Sequence, residues 1–290
     1  MKTVLIVKLD SIGDFIIFTA VIEEYAKLYK GCKIDFLCRP YVKELFEPIP
    51  FINKIMTLDI TKMDSRRYVL YKWCGLMRMK FLTYDTVIYS VCTRIRVVDQ
   101  LISQIQSPEK IALEEASQTD PDQQQSSKKI YSRLIAAHPA ETEMANNISF
   151  VNALGGAAPL EAMPRMWFKE DDQDVYQSLA GAYSLSPYGY FAIAPGAGYP
   201  IRYWDNNKWA DLILRLRSRF PHKKVALLGG PGDMKLIESI LRLLPAEEQA
   251  VVNLCDRSNL RVLAKIIGNA FLLIGTESSA VHIAAAVRVK

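Results

Sequence analysis

Paired cysteines are missing from this sequence. Cys32, Cys38, Cys74, Cys92 and Cys255 are an odd number and show no C-x-x-C spacing, which argues against a zinc site and for free thiols in a reducing compartment. A secretory leader is missing too: the apolar run after Lys2 is interrupted by Lys8, Asp10 and Asp14 before a signal-peptide core can develop, so the chain is expected to start at Met1. Val175–Ile201 carries no charge, yet Ser, Tyr, Gly and three prolines break it, and a transmembrane helix is rejected there. Cytoplasmic residence is the resulting expectation. No G-x-G-x-x-G follows the first strand and no Walker A lysine is present, which counts against a dinucleotide-dependent dehydrogenase and a P-loop enzyme. No short fixed repeat is visible, excluding a solenoid.

What is there is an ordinary globular balance, 50% hydrophobic and 23% charged over 290 residues, long enough for two cores of roughly 120–170 residues each. The net charge of +5 is modest, and no nucleic-acid partner is expected from it. Lys62, Arg66, Arg67, Lys72, Arg78 and Lys80 crowd one stretch opposed only by Asp64, which suits either an anionic partner or a solvated helix face.

Short β-rich runs alternate with helical periods. In the first half these are Thr3–Lys8, a helix Asp14–Tyr29, Lys33–Cys38, Tyr41–Phe46, Lys54–Leu58, a helix Arg66–Lys80, Asp85–Tyr89 and a helix near Val97–Gln106. This reads as βαβ units on a parallel sheet. The polar run Glu114–Lys129 is expected to be a mobile surface loop. After a helix near Glu141–Leu154 and a Pro-bearing connector, the alternation restarts at Tyr190–Ala194 and continues to Ser278–Val287. The expected architecture is therefore α/β, two Rossmann-like doubly wound domains spanning residues 1–170 and 171–290.

Four segments sit where an open α/β sheet places its chemistry, after a strand and before a helix. Lys8-Leu9-Asp10-Ser11-Ile12-Gly13-Asp14 puts a carboxylate at a helix start, where it serves either as a cap or as a base favoured in ionised form by the helix dipole. Ala194-Pro195-Gly196-Ala197-Gly198, followed by Arg202 and Trp204, offers small-residue amides and a guanidinium to phosphate oxygens, or is simply a turn with tryptophans packing the next helix. Gly229-Gly230-Pro231-Gly232-Asp233 lets a nucleotide lie against the backbone at Gly230, or makes a tight turn. Gly275-Thr276-Glu277-Ser278-Ser279 opens a helix whose amides and hydroxyls face an anion. There Glu277 suits a ribose hydroxyl, and His282, one turn on, is either a donor contact or a satisfied core residue.

These segments, in this order on two Rossmann-like halves, resemble glycosyltransferase family 9, the lipopolysaccharide heptosyltransferases. The likeness rests on Val4-Leu5-Ile6-Val7-Lys8 through Gly13-Asp14 and Thr19-Ala20, on Pro195-Gly196-Ala197 with Arg202-Tyr203-Trp204, and on Gly275 through His282. Two segments depart from the family pattern: Arg202 stands where lysine is common, which keeps the charge and changes the hydrogen-bond geometry, and Glu277-Ser278-Ser279 stands where Asp-Thr-Gly is common. In that family a further strand and helices follow the closing helix, so the second domain is expected to be incomplete at Lys290.

The resemblance implies a GT-B fold with the acceptor bound by the first domain and the nucleotide-sugar by the second, the two facing a cleft. It implies Asp14 as base, with Lys8, Ser11 and Gly13 on the acceptor side. Gly196, Ala197, Gly198, Arg202, Gly230, Glu277, Ser278, Ser279 and His282 fall on the donor side. No cofactor and no metal are implied, and no Asp-x-Asp sits at a loop suited to hold one. ADP-heptose is the expected donor, an acidic lipid-linked saccharide the expected acceptor, and peripheral contact with the inner face of the inner membrane would give the basic Lys62–Lys80 stretch a purpose. The rival readings are a nucleotide-sugar epimerase on the same scaffold and a nucleotide-sugar-binding protein without turnover.

Overall fold

A computed structural model describes the chain except for residues 64–68, 92–93, 115–127, 138–140 and 247 and the side chains of Met63 and Pro200. Most of the polar run 114–129, together with Arg66, Arg67 and Cys92, thus lies outside the described residues. The chain divides into two compact units, Met1–Pro164 and Arg165–Lys290.

In the first unit, six parallel strands lie in the order β3-β2-β1-β4-β5-β6. They are β1 (Thr3–Lys8), β2 (Lys33–Cys38), β3 (Ile52–Thr57), β4 (Thr86–Tyr89), β5 (Glu109–Leu113) and β6 (Arg133–Ile135). The central strand β1 is buried from Val4 to Lys8, as its unbroken apolar run requires, because a parallel strand covered on both faces has no solvent side to alternate toward. One face packs Leu5, Val7, Leu37, Val87 and Tyr89 against Val98, Leu101 and Ile102 of the helix Arg96–Gln104. Elsewhere in the unit Phe15, Phe36 and Phe46 stack, with ring centroids 4.1 and 4.8 Å apart.

The expected helix Asp14–Tyr29 is two helices, Ile12–Phe18 and Ile22–Leu28. The break has a local cause. The Thr19 hydroxyl donates to the Ile16 carbonyl, and the amides of Ala20 and Val21 reach back only three residues, to Ile17 and Phe18, tightening the turn until the helix ends.

The second unit carries a four-stranded parallel sheet in the order β10-β7-β8-β9. Its strands are β7 (Tyr190–Ala194), β8 (Lys224–Leu227), β9 (Val251–Asn253) and β10 (Leu272–Gly275). Phe191, Ile193, Val225 and Leu227 pack against Trp209 and Ile213 of the helix Asn206–Arg219 and Ile237 and Ile240 of the helix Met234–Leu241. A helix Asp172–Ala182 precedes this sheet. It is held to the helix Leu260–Gly268 by a buried ion pair in which Arg261 Nε donates to Asp172 Oδ2 at 2.8 Å.

Both sheets share one topological feature. The order of connection reverses between β1 and β4 in the first unit and between β7 and β10 in the second. At such a reversal the loops leaving the two strands diverge to opposite faces and open a crevice at the carboxyl edge of the sheet. The predicted site residues lie at or just beyond the carboxyl ends of strands: Lys8 closes β1 with Ser11, Gly13 and Asp14 after it, Gly196–Arg202 follow β7, Glu277–His282 follow β10, and Gly230 alone follows β8, beside the second reversal.

Candidate functional site

At the β1/β4 reversal the chain leaves β1 with Lys8 buried. A lysine cannot sit in that interior without partners, and three are present. Lys8 Nζ lies 2.7 Å from Asp10 Oδ2, donates to the Ser90 carbonyl just after β4 at 3.5 Å, and stands 4.8 Å from the Phe18 ring centroid. Burial works against the ammonium, but Asp10, Glu143 and Asp14 outweigh it and hold its pKa above the ordinary 10.5. Burial pushes the Asp10 carboxyl above its ordinary 3.8 against the pull of Lys8. Asp10 Oδ1 finds no hydrogen-bond partner among the described residues.

Ser11 caps the helix Ile12–Phe18, and the cap is reciprocal. The Asp14 amide donates to Ser11 Oγ at 3.4 Å, while Ser11 N and Ser11 Oγ donate to Asp14 Oδ2 at 3.1 and 2.7 Å. Asp14 therefore has the capping role that its spacing allowed, and both bonds it accepts fall on Oδ2. Ser11 is exposed, Asp14 half-buried and Gly13 buried. Asp10 was not among the predicted site residues. The signal for it was available: a lysine inside an apolar strand demands a nearby carboxylate, and Asp10 is the first acid along the chain.

At the β7/β10 reversal, three loops converge. Thr276 Oγ1, after β10, donates to the Gly196 carbonyl, after β7. Gly275 lies so close to β7 that a Cβ there would come within 3.0 Å of the Ala194 carbonyl oxygen. A Cβ on Gly196 would meet Asp233 Oδ1 at 2.2 Å, and one on Gly229 would meet the Asp233 Cβ at 2.7 Å. Asp233 thus wedges the loop after β8 against the loop after β7, with its Oδ2 accepting from Gly230 N at 2.9 Å. The requirement for glycine at 196 and 229 is set by this close approach. Asp233, read from the sequence as the end of a glycine run, joins two of these loops, and Thr276 ties the third to them through Gly196.

Across the same reversal Arg202 Nη1 lies 3.2 Å from Glu277 Oε2, with both side chains largely exposed, and the guanidinium sits 5.2 Å from the Tyr199 ring centroid. Ser278 is the N-cap residue of the helix Ser279–Ala286, but its side chain makes no capping bond. Its Oγ is buried with no hydrogen-bond partner among the described residues. Val281 N donates to the Ser278 carbonyl at 3.2 Å, and the amides of Ser279 and Ala280 before it, at the positive end of the helix dipole, have no carbonyl within the helix to reach. A half-exposed guanidinium, free helix-start amides and an unused hydroxyl therefore surround one strand end, an arrangement suited to the oxygens of a diphosphate. Gly198 and Gly230 are exposed and Ala197 half-buried. Ser279 and His282 are half-buried, and no described hydrogen bond or ion pair joins His282 to the cluster. Trp204 meets Trp209 edge-on at 4.9 Å, so this pair does the packing that the sequence left open for it.

A family model described as "Glycosyltransferase family 9 (heptosyltransferase)" matches residues 105–290. Over 279 residues the chain is 25% identical to lipopolysaccharide heptosyltransferase 3 of Escherichia coli (strain K12), covering 95% of this chain and 77% of that protein. Among solved structures, a family 9 glycosyltransferase from Veillonella parvula DSM 2008 superposes with a TM-score of 0.79 at 15% identity, covering 99% of this chain and 78% of the other. The E. coli heptosyltransferase WaaC, solved with ADP-2-deoxy-2-fluoro heptose, superposes with a TM-score of 0.72 at 16% identity, covering 99% and 86%. At these identities the likeness shows the fold, which is of the GT-B type with two Rossmann-like units.

Proposed function

The chain belongs to glycosyltransferase family 9, and from that premise we propose that it moves a heptose from ADP-heptose to an acidic, lipid-linked saccharide, with inversion at the anomeric carbon and without a divalent metal. The observation that carries the donor half of this reading is the β7/β10 crevice. Arg202, the helix-start amides after Ser278 and the unused Ser278 hydroxyl offer positive charge and donors where a diphosphate would lie. Gly230, Ala197 and Gly198 would let the nucleotide approach the backbone. Glu277 is within reach of a ribose hydroxyl once its pairing with Arg202 is exchanged for the donor.

The acceptor half rests on the β1 end, where Lys8, Ser11 and Gly13 frame Asp14. Asp14 takes the proton of the attacking hydroxyl on Oδ1, while Ser11 holds Oδ2 and fixes the plane of the carboxylate. The hydroxyl oxygen bonds to the anomeric carbon from the face opposite the nucleotide, the bond from that carbon to the phosphate oxygen breaks, and ADP leaves. Arg202 and the amides around Ala197–Gly198 and Ser278–Ser279 stabilise the charge that develops on the leaving diphosphate. The protein works at the inner face of the inner membrane, where such an acceptor would be presented.

Calorimetric titration with ADP, UDP and NAD, each with and without magnesium, tests the donor reading. ADP should bind with the same affinity in both conditions and more tightly than UDP. Binding of NAD alone would refute the proposal. Conversion of ADP-heptose in the absence of any acceptor would favour the epimerase reading instead.

A further inference from the structure

A helix on the surface of a globular unit ordinarily turns its apolar side to the core. The helix Val69–Lys80 packs Tyr71, Leu76 and Met79 on the core and turns a second apolar stripe outward. Its buried residues are Gly75 and Met79, while Leu70, Trp73 and the following Phe81 are 73%, 58% and 79% exposed. At about 3.6 residues per turn, Leu70, Trp73, half-buried Met77 and Phe81 fall on one outward stripe. A contiguous exposed patch of this kind is a contact surface rather than a random scatter of apolar side chains.

Its charge says what it contacts. From Val69 to Tyr84 the sequence contains no Asp or Glu and contains Lys72, Arg78 and Lys80. Arg78 and Lys80 are exposed beside the apolar stripe, and no ion pair among the described residues engages either. Aromatic and aliphatic groups bordered by exposed cations are what a helix lying in the interface of an anionic bilayer presents. A second copy of the chain suits the surface poorly, because a two-fold contact would set Arg78 and Lys80 against themselves. A twelve-residue helix offers about 18 Å of length to lie along the headgroup layer.

We infer that the outward face of the helix Val69–Lys80, with Phe81, docks the protein on an anionic lipid surface. The inference rests on exposure and charge, and it deepens the proposed membrane location without depending on the transfer chemistry. The test is sedimentation with vesicles of phosphatidylcholine containing phosphatidylglycerol and with vesicles of phosphatidylcholine alone.

The wild type should bind the anionic vesicles, more weakly as salt rises. Trp73→Ala/Phe81→Ala should lose tenfold or more in affinity, and Arg78→Ala/Lys80→Ala about fivefold for each cation removed. Both variants should keep wild-type thermal unfolding and wild-type transfer to a water-soluble acceptor fragment. The inference is overturned if the wild type ignores anionic vesicles, or if both variants bind as it does. It is also overturned if Trp73→Ala/Phe81→Ala abolishes self-association while vesicle binding is absent throughout. Vesicle binding without any transfer to the soluble fragment would sink the catalytic proposal and leave this one standing.

Discussion

Asp14 has two duties on one carboxylate. Its Oδ2 closes the capping box with Ser11, and the proposed proton transfer uses Oδ1. The duties separate experimentally. Asp14→Asn keeps an oxygen for the Ser11 bonds and loses the base, so transfer should fall by about 10²–10⁴-fold with thermal unfolding nearly unchanged. Asp14→Ala should add a stability loss of about 1 kcal/mol from the missing cap. If Asp14→Asn kept near-normal transfer, the base would have to be sought elsewhere, first at Asp10. Much at this scale was legible: a strand running into Gly13-Asp14 marks the end of β1, and the Gly196 and Gly275 segments mark strand ends in the second unit. Asp233 was not, because its importance lies in what a Cβ on Gly196 or Gly229 would strike, and these contacts join separate loops.

Between elements, the buried pair Arg261–Asp172 ties the helix Leu260–Gly268 to the helix Asp172–Ala182, with side chains 7% and 2% exposed. Asp172 also accepts from the Lys169 amide at 2.7 Å. Removing the carboxylate takes the charged partner from a buried guanidinium, so Asp172→Ala should lower the unfolding free energy by about 3–5 kcal/mol, read as a shift of the urea midpoint. A midpoint equal to wild type would mean that Arg261 relaxes to solvent without cost. The long strand-like and helical runs were legible from periodicity, Tyr190–Ala194 to the residue. Three elements were not. β5 and β6 have five and three residues, too few for alternation to register, and they exist because neighbouring strands complete their ladders. The helix Asp172–Ala182 begins inside a connector and shows a weak apolar stripe, and its partner at Arg261 lies far along the chain.

The whole molecule should lose stability in acid. Several carboxylates are held below their ordinary values by donors of the folded state. The Lys27 ammonium and the Ala157 amide hold Glu24 below 4.5. Thr61 holds Asp59, the Thr3 amide holds Asp85 and Asn207 holds Asp205 below 3.8. A carboxylate with a depressed folded pKa contributes stability that is present above its unfolded pKa and lost as pH falls through the folded one. Asp10, raised by burial, acts in the opposite sense, but it is one group against four. Unfolding free energy should therefore decline as pH drops through 4.5 and on below 3.8. Glu24→Gln should flatten the start of that decline, and an unchanged acid limb in this variant would show that the Lys27 and Ala157 contacts do not bear on stability.

The sequence by itself determined the α/β class, the restart of the alternation in the second half and the strand-end positions of the candidate site residues. These are local properties: a buried parallel strand must be apolar throughout, and a helix start after a glycine turn announces itself in a few residues. The tertiary structure alone decided the strand order that puts a reversal beside β1 and beside β7 and the partners of Lys8. It also decided the wedge of Asp233 between two loops and the outward aim of Leu70, Trp73 and Phe81. Each of these depends on which distant segment lies alongside, and burial of a side chain is set by that neighbour rather than by its own position in the chain.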